Sequence, residues 1–331
     1  STAVLAGGMG AIFWMWVAAF VGMATKYGEI ILGMLYREKN EEGNYVGGPM
    51  YYIKKGLHIP WLATLCAFFM VTQIIGGNFI QSNTISGVMK ENFGVPYMTT
   101  GIVLVLLIFV ITLGGLKRLA HVAQTLVPSM ALIYVAGGLI IILANITKVP
   151  GVFADIFAGA FGLRAMAGGA MGSMLIAMQK GVARGLYSNE AGIGSAPNAS
   201  ASANVSHPVK QGLVQMLSVF IDTLLLCTAT AMMCMSSGID PAKELQGAPW
   251  VQASLQESLG SFGPIFITVA MVFFAFTTLL GNCFYCDNLL IYIHKKQPGK
   301  AFMKGFRLVS ALAIFLGAGM EMSLLWDLSD V

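Results

Sequence analysis

The feature that most constrains this chain is a succession of apolar runs as long as a bilayer is thick. Crossing a hydrocarbon core as a helix takes about 20 mostly apolar residues, and Ala11 to Leu35 is such a run, with Lys26 and Glu29 its only charges. Similar runs place spans at 10–36, 61–89, 97–115, 126–145, 209–236, 262–293 and 303–319, with the start of a further span at 323–331. Lipid offers no partner to a bare N–H or C=O, so these runs must be helices. With 56% hydrophobic and 10% charged residues, the composition is far from that of a soluble domain, where charge runs near a quarter. The expected fold class is an all-α polytopic membrane protein, one transmembrane domain over 1–331. A start at Ser1 and an end inside an apolar run lead us to expect truncation at both ends.

Charge placement reports topology. The formal net charge is +4, but the basic residues are scattered over short loops and form no patch for nucleic acid. Loops 37–58, 116–125 and 294–304 gather Arg37, Lys39, Lys54, Lys55, Lys117, Arg118, Lys295 and Lys296, against Lys90, Lys148, Arg164 and Lys243 opposite, so these loops are expected to be cytoplasmic. That count works only if 165–203 crosses once. The five cysteines all fall in expected spans; Cys283-x-x-Cys286 lacks the second pair or histidines a metal would need. No hydrolase elbow or phosphate-cradling loop is present, and no cofactor is expected. A membrane enzyme using Lys180, Arg184, Tyr187 and Glu190 as acid and base groups stays open as an alternative.

The stretch from Met178 to Pro197 interrupts an apolar segment that begins at Ala165 and is too short to cross. We expect 165–203 to be a broken span with its break near 179–188, lined by a cavity, since non-helical backbone at membrane depth needs protein or water around it. The alternative is a re-entrant helix followed by a polar loop. Gly168-x-x-x-Gly172 and Gly181-x-x-x-Gly185 suit close helix packing.

Polar residues within the spans need partners. Lys26 and Glu29 share a helix face and can pair. Asn78 and Gln81 also share one, and Gln81 can reach a cavity, while Asn78 and Asn83 serve equally as links between helices. Asp222 is expected to pair with Arg184 or help bind a cation. Thr277 and Thr278 offer oxygens a hard cation accepts, or bond back to the preceding turn. His121 reads as interfacial.

Three long motifs carry a resemblance: Gly10-Ala-Ile-Phe-Trp-Met-Trp16 with Gly22-Met-Ala-Thr-Lys-Tyr27 and Glu29, then Gly47-Gly-Pro-Met-Tyr-Tyr52, then Arg184-Gly-Leu-Tyr-Ser-Asn-Glu-Ala-Gly-Ile-Gly-Ser-Ala-Pro197. The chain resembles the alanine or glycine:cation symporter family over essentially its whole length. The resemblance implies a multi-pass carrier of the cell (inner) membrane with the leucine-transporter-like fold, two inverted five-helix repeats with broken first and sixth helices. It implies import of a small neutral amino acid, alanine or glycine, with sodium by alternating access. Residue 165–203 would be the sixth helix, and the unwound half of the first would precede Ser1. Gln81 matches a substrate-facing glutamine, Thr278 a site threonine with Thr277 beside it as a sodium ligand, and Tyr187 an aromatic position beside the break. Asn78, Gln179 and Asn282 complete the expected substrate contacts. Asn282 stands where some members carry tryptophan, which leaves room for a longer side chain, so a glutamine-selective or proton-coupled carrier of the same fold is the alternative.

Overall fold

The computed structural model describes residues 2–41, 43–113, 115–162, 170–239, 247–295 and 298–320. In chain order these form α1 (Thr2–Gly7), α2 (Ala11–Leu35), a two-stranded antiparallel hairpin of β1 (Glu38–Lys39) and β2 (Tyr45–Val46), α3 (Pro49–Gly56), α4 (Pro60–Phe93), α5 (Tyr97–Leu113), α6 (Gly115–Ala144), α7 (Val149–Ala160), α8 (Ala170–Asn189) and α9 (Ser195–Ser200). There follow α10 (Pro208–Val219), a π-helical stretch Phe220–Cys227, α11 (Thr228–Ser236), α12 (Ala248–Leu259), α13 (Phe262–His294) and α14 (Lys300–Gly319). Among the described residues six helical segments are long and apolar enough to cross a membrane: Ala11–Leu35, Pro60–Phe93, Thr125–Ala144, Pro208–Ser236, Phe262–His294 and Ala301–Gly319. The protein is an all-α polytopic membrane protein. The span expected at 323–331 lies outside the described residues, as does the stretch 163–169 that holds Gly168. Nothing is described of the side chains of Lys117, Arg118 and His121.

The helices pack as two compact units. The first comprises 1–28, 131–193 and 209–267, the second 29–130, 194–208 and 268–331.

In the first unit α8 lies against α1 and the start of α2. Gly181 makes this possible, because a Cβ there would collide with the Ala11 carbonyl, and Gly185 meets Met15 one turn on. This is the close approach that small residues permit between membrane helices. Around α2, Trp14 Nε1 donates to Ala160 O at 3.2 Å and Trp16 Nε1 to Thr228 Oγ1 at 2.8 Å, so each half-buried indole pairs its N–H.

In the second unit one apolar cluster joins α3, α4 and α13 through Met50, Tyr51, Ala67, Met70 and Leu289. Another joins α4, α5, α13 and α14 through Ile85, Leu104, Leu279, Leu280 and Ile314. The end of α14 is tied to α4 by polar groups: Asn83 Nδ2 donates to Gly317 O and Met320 O at 2.9 and 2.6 Å, and Ser86 Oγ to Ala318 O at 2.6 Å. The last carbonyls of a helix have no partner within it, so Asn83 is the interhelical link that one of the two sequence readings gave it.

Candidate functional site

Among the described residues, two groups of polar side chains bear on the site, one in each unit. The first is the end of α8. Its helix is continuous from Ala170 to Asn189, so the break expected near 179–188 is not there. It lies at Glu190–Gly194, where Glu190, Gly192 and Gly194 have φ of 53°, 84° and 95°. The polar residues of 179–188 did not signal a break, because Met178, Gln179, Lys180, Ala183, Arg184 and Leu186 all favour helix and the two glycines serve packing. The helix ends in left-handed backbone, which Gly192 and Gly194 adopt without steric cost.

The groups freed by this turn are met within the unit. Lys26 Nζ, 3% exposed, donates to Asn189 O at 2.9 Å and Glu190 O at 3.2 Å. A cation at a helix C-terminus also complements the helix dipole. The Asn189 side chain turns back to accept from Ala191 N at 3.0 Å and donates to Thr223 Oγ1 at 3.4 Å. Asp222, on the π-helical stretch, accepts from Ser188 Oγ at 2.6 Å and Thr223 Oγ1 at 3.2 Å. Hydroxyls thus meet this carboxylate where the sequence reading put the Arg184 guanidinium. π-Helical insertions recur at functional sites, and here the wider turn carries Asp222 and Thr223, the two residues joined to Ser188 and Asn189. Of the residues expected at this break, Gln179 sits exposed in the interior of α8 and Tyr187 is 37% exposed near its end.

Beyond the break, α9 belongs to the second unit. Arg37 Nη1 donates to Ala201 O and Ala203 O, each at 2.9 Å. Asn198, fully buried, accepts from Asn288 Nδ2 at 2.9 Å.

The second polar group lies between α4 and α13. Asn282 Nδ2 donates to Asn78 Oδ1 at 2.8 Å, both side chains buried. Fourteen residues along α4 and fourteen back along α13, Asn92 Nδ2 donates to Thr268 Oγ1 at 2.6 Å. The two helices therefore run antiparallel in register, which puts Gln81, one turn past Asn78, level with Thr278, one turn before Asn282. Gln81 and Thr278 are half-buried. Thr278 Oγ1 donates to Phe274 O at 3.0 Å, and Thr277 Oγ1 to Phe273 O and Phe274 O at 3.0 Å each. These are the bonds back to the preceding turn that the sequence left open as an alternative to cation binding. They do not exclude it: a hydroxyl whose proton is given to its own helix keeps its lone pairs for a ligand. Asn78, Gln81, Thr277, Thr278 and Asn282 thus all lie in the second unit, while Gln179 and Tyr187 lie in the first. The Lys26 and Ser188 contacts escaped sequence reasoning, the first because its carbonyls lie more than 160 residues on.

A family model for the sodium:alanine symporter family matches residues 1–331. The chain belongs to this family. Similar proteins include the putative sodium/proton-dependent alanine carrier protein YrbD of Bacillus subtilis, 41% identical over all of this chain and 70% of its own length. The probable sodium/glutamine symporter GlnT of the same organism is 39% identical over 99% of this chain and 68% of its own. The sodium/alanine symporter AgcS of Methanococcus maripaludis is 38% identical over all of this chain and 73% of its own. As a sodium:alanine symporter family member the protein is a cation-coupled amino-acid symporter. It is a transporter and not an enzyme, which removes the acid and base roles weighed for Lys180, Tyr187 and Glu190.

Proposed function

We propose that this symporter imports alanine or glycine with sodium by alternating access, with the leucine-transporter-like fold and in the cell (inner) membrane. The hydrogen bond between Asn78 and Asn282 carries this reading, because it fixes the register that brings Gln81 and Thr278 to one level. Gln81 offers both amide donors and a carbonyl to the charged ends of an amino acid. Thr278, with Thr277 beside it, offers hydroxyl oxygens to sodium. Asn78 and Asn282 hold each other and set the frame. The carbonyls at the end of α8 are held by Lys26, so the ligand contacts first expected of the broken helix fall to α4 and α13. Two relatives bear names specifying sodium with alanine or sodium with glutamine, and one names both sodium and proton.

The second reading is glutamine, favoured by the amide at Asn282, which can pair with a substrate amide if it turns from Asn78. Proteoliposomes holding the purified protein, given labelled alanine, glycine and glutamine under a sodium or a proton gradient separately, test both. Concentrative alanine uptake with sodium alone is expected. Uptake of glutamine only, or with a proton gradient only, would replace the first reading.

A further inference from the structure

Three helices of the second unit, α5, α13 and α14, leave a shallow, open cleft between them. Val105, Ile108, Phe109 and Ile314 give it apolar walls, while Asp287 and Arg307 bring charge into it. Arg307 Nη2 lies 3.5 Å from Asp287 Oδ2, with the side chains 31% and 21% exposed. A guanidinium carries five donors, and one approach at that distance is a weak hold on them. Asp287 keeps the guanidinium in the cleft but leaves most of its donors for another acceptor.

Depth narrows the choice of acceptor. Arg307 stands two helical turns into α14 from Lys300, about 10 Å along the axis, a depth from which long basic side chains reach the headgroup region. Lys304, exposed, precedes it by three residues on the same face. Flanking the cleft, Leu106 and Val110 of α5 and Leu308 and Leu312 of α14 are half or more exposed. On helices that cross a bilayer such surface is bathed in acyl chains. An occupant entering from there has an apolar chain to lay on Val105 and Phe109 and an anionic head to give Arg307 and Lys304.

We infer that this cleft binds an anionic phospholipid of the surrounding bilayer, chain inward and phosphate on Arg307. Each basic side chain near a charged headgroup is worth about 1 kcal/mol, or about fivefold. Native mass spectrometry of the purified protein in detergent with equimolar phosphatidylglycerol and phosphatidylcholine tests it. With the Asp287 carboxylate offsetting one of the two cations, the unaltered protein is expected to retain phosphatidylglycerol about fivefold over phosphatidylcholine. Arg307→Gln brings that ratio close to one. Ala311→Trp, which fills the cleft and keeps every charge, lowers retention of both lipids. Equal retention by the unaltered protein overturns the site, and so does a preference that survives Ala311→Trp. Should Arg307→Gln fail to fold, the unaltered protein and Ala311→Trp decide the question alone.

Discussion

Gln81 and Thr278 are placed by their neighbours. The Asn78–Asn282 bond is buried, and removing one partner leaves the other amide unpaired, at a cost of about 1–3 kcal/mol. Asn78→Leu is therefore expected to lower the thermal unfolding temperature in detergent. The double change Asn78→Leu with Asn282→Leu should cost less than the sum of the single changes, because it removes both ends of one interaction. Additive losses would mean the two amides do not act as a pair. Gln81→Ala should leave the unfolding temperature near that of the parent and cut alanine uptake about tenfold or more, the effect of one lost polar contact to a charged ligand; unchanged saturable uptake would take Gln81 out of the site. Thr278→Val should raise the sodium concentration for half-maximal uptake, and Thr278→Ser should restore it, since serine keeps the oxygen. If valine leaves the sodium dependence as it was, Thr278 binds no sodium and its hydroxyl serves only Phe274 O.

At the scale of the element, the Lys26 ammonium caps the carbonyls that end α8. Lys26→Met keeps the length of the side chain but removes the donors that hold Asn189 O and Glu190 O, leaving buried carbonyls to open at a cost of about 1–3 kcal/mol. The expected result is a lower unfolding temperature together with faster proteolysis at 190–194, and a protein that keeps both parental values would show the cap to be dispensable. Gly181→Val should be worse still, because the added carbon meets the Ala11 carbonyl, whereas Gly76→Ala on α4 meets open space and should be tolerated. The long spans were legible in the sequence because their signal is an average over twenty residues. α2 and α13 end within a residue or two of the runs that marked them. The polarity of 179–188 points to the wrong place for the break, because polar residues can ride on a regular helix. Left-handed backbone at Glu190, Gly192 and Gly194 makes the turn, and Lys180 and Arg184 ride on an intact helix. The amides of α4 were legible as residues in need of partners, but not their partners, since Asn282 and Gly317 lie more than 200 residues away.

For the whole molecule the claim is one of coupling. A carrier that moves an amino acid with sodium must bind each ligand more tightly when the other is present; a ligand with equal affinity for all conformers shifts nothing. Linkage makes the effect reciprocal in binding: if sodium raises the affinity for alanine by some factor, alanine raises the affinity for sodium by that same factor. A common element that both ligands touch is the simplest means, and on the proposed reading Thr278, level with Gln81, is that element. Equilibrium binding of labelled alanine to the purified protein, measured across sodium concentrations, and of sodium across alanine concentrations, should give equal coupling factors of about 5–150, the ordinary range for linked sites. In Thr278→Val both factors should fall together toward one. A loss in one direction alone is forbidden by linkage and would expose a faulty assay. Full coupling in both directions despite the substitution would move the linkage away from the α4–α13 pair, whatever role Gln81 keeps in holding the amino acid.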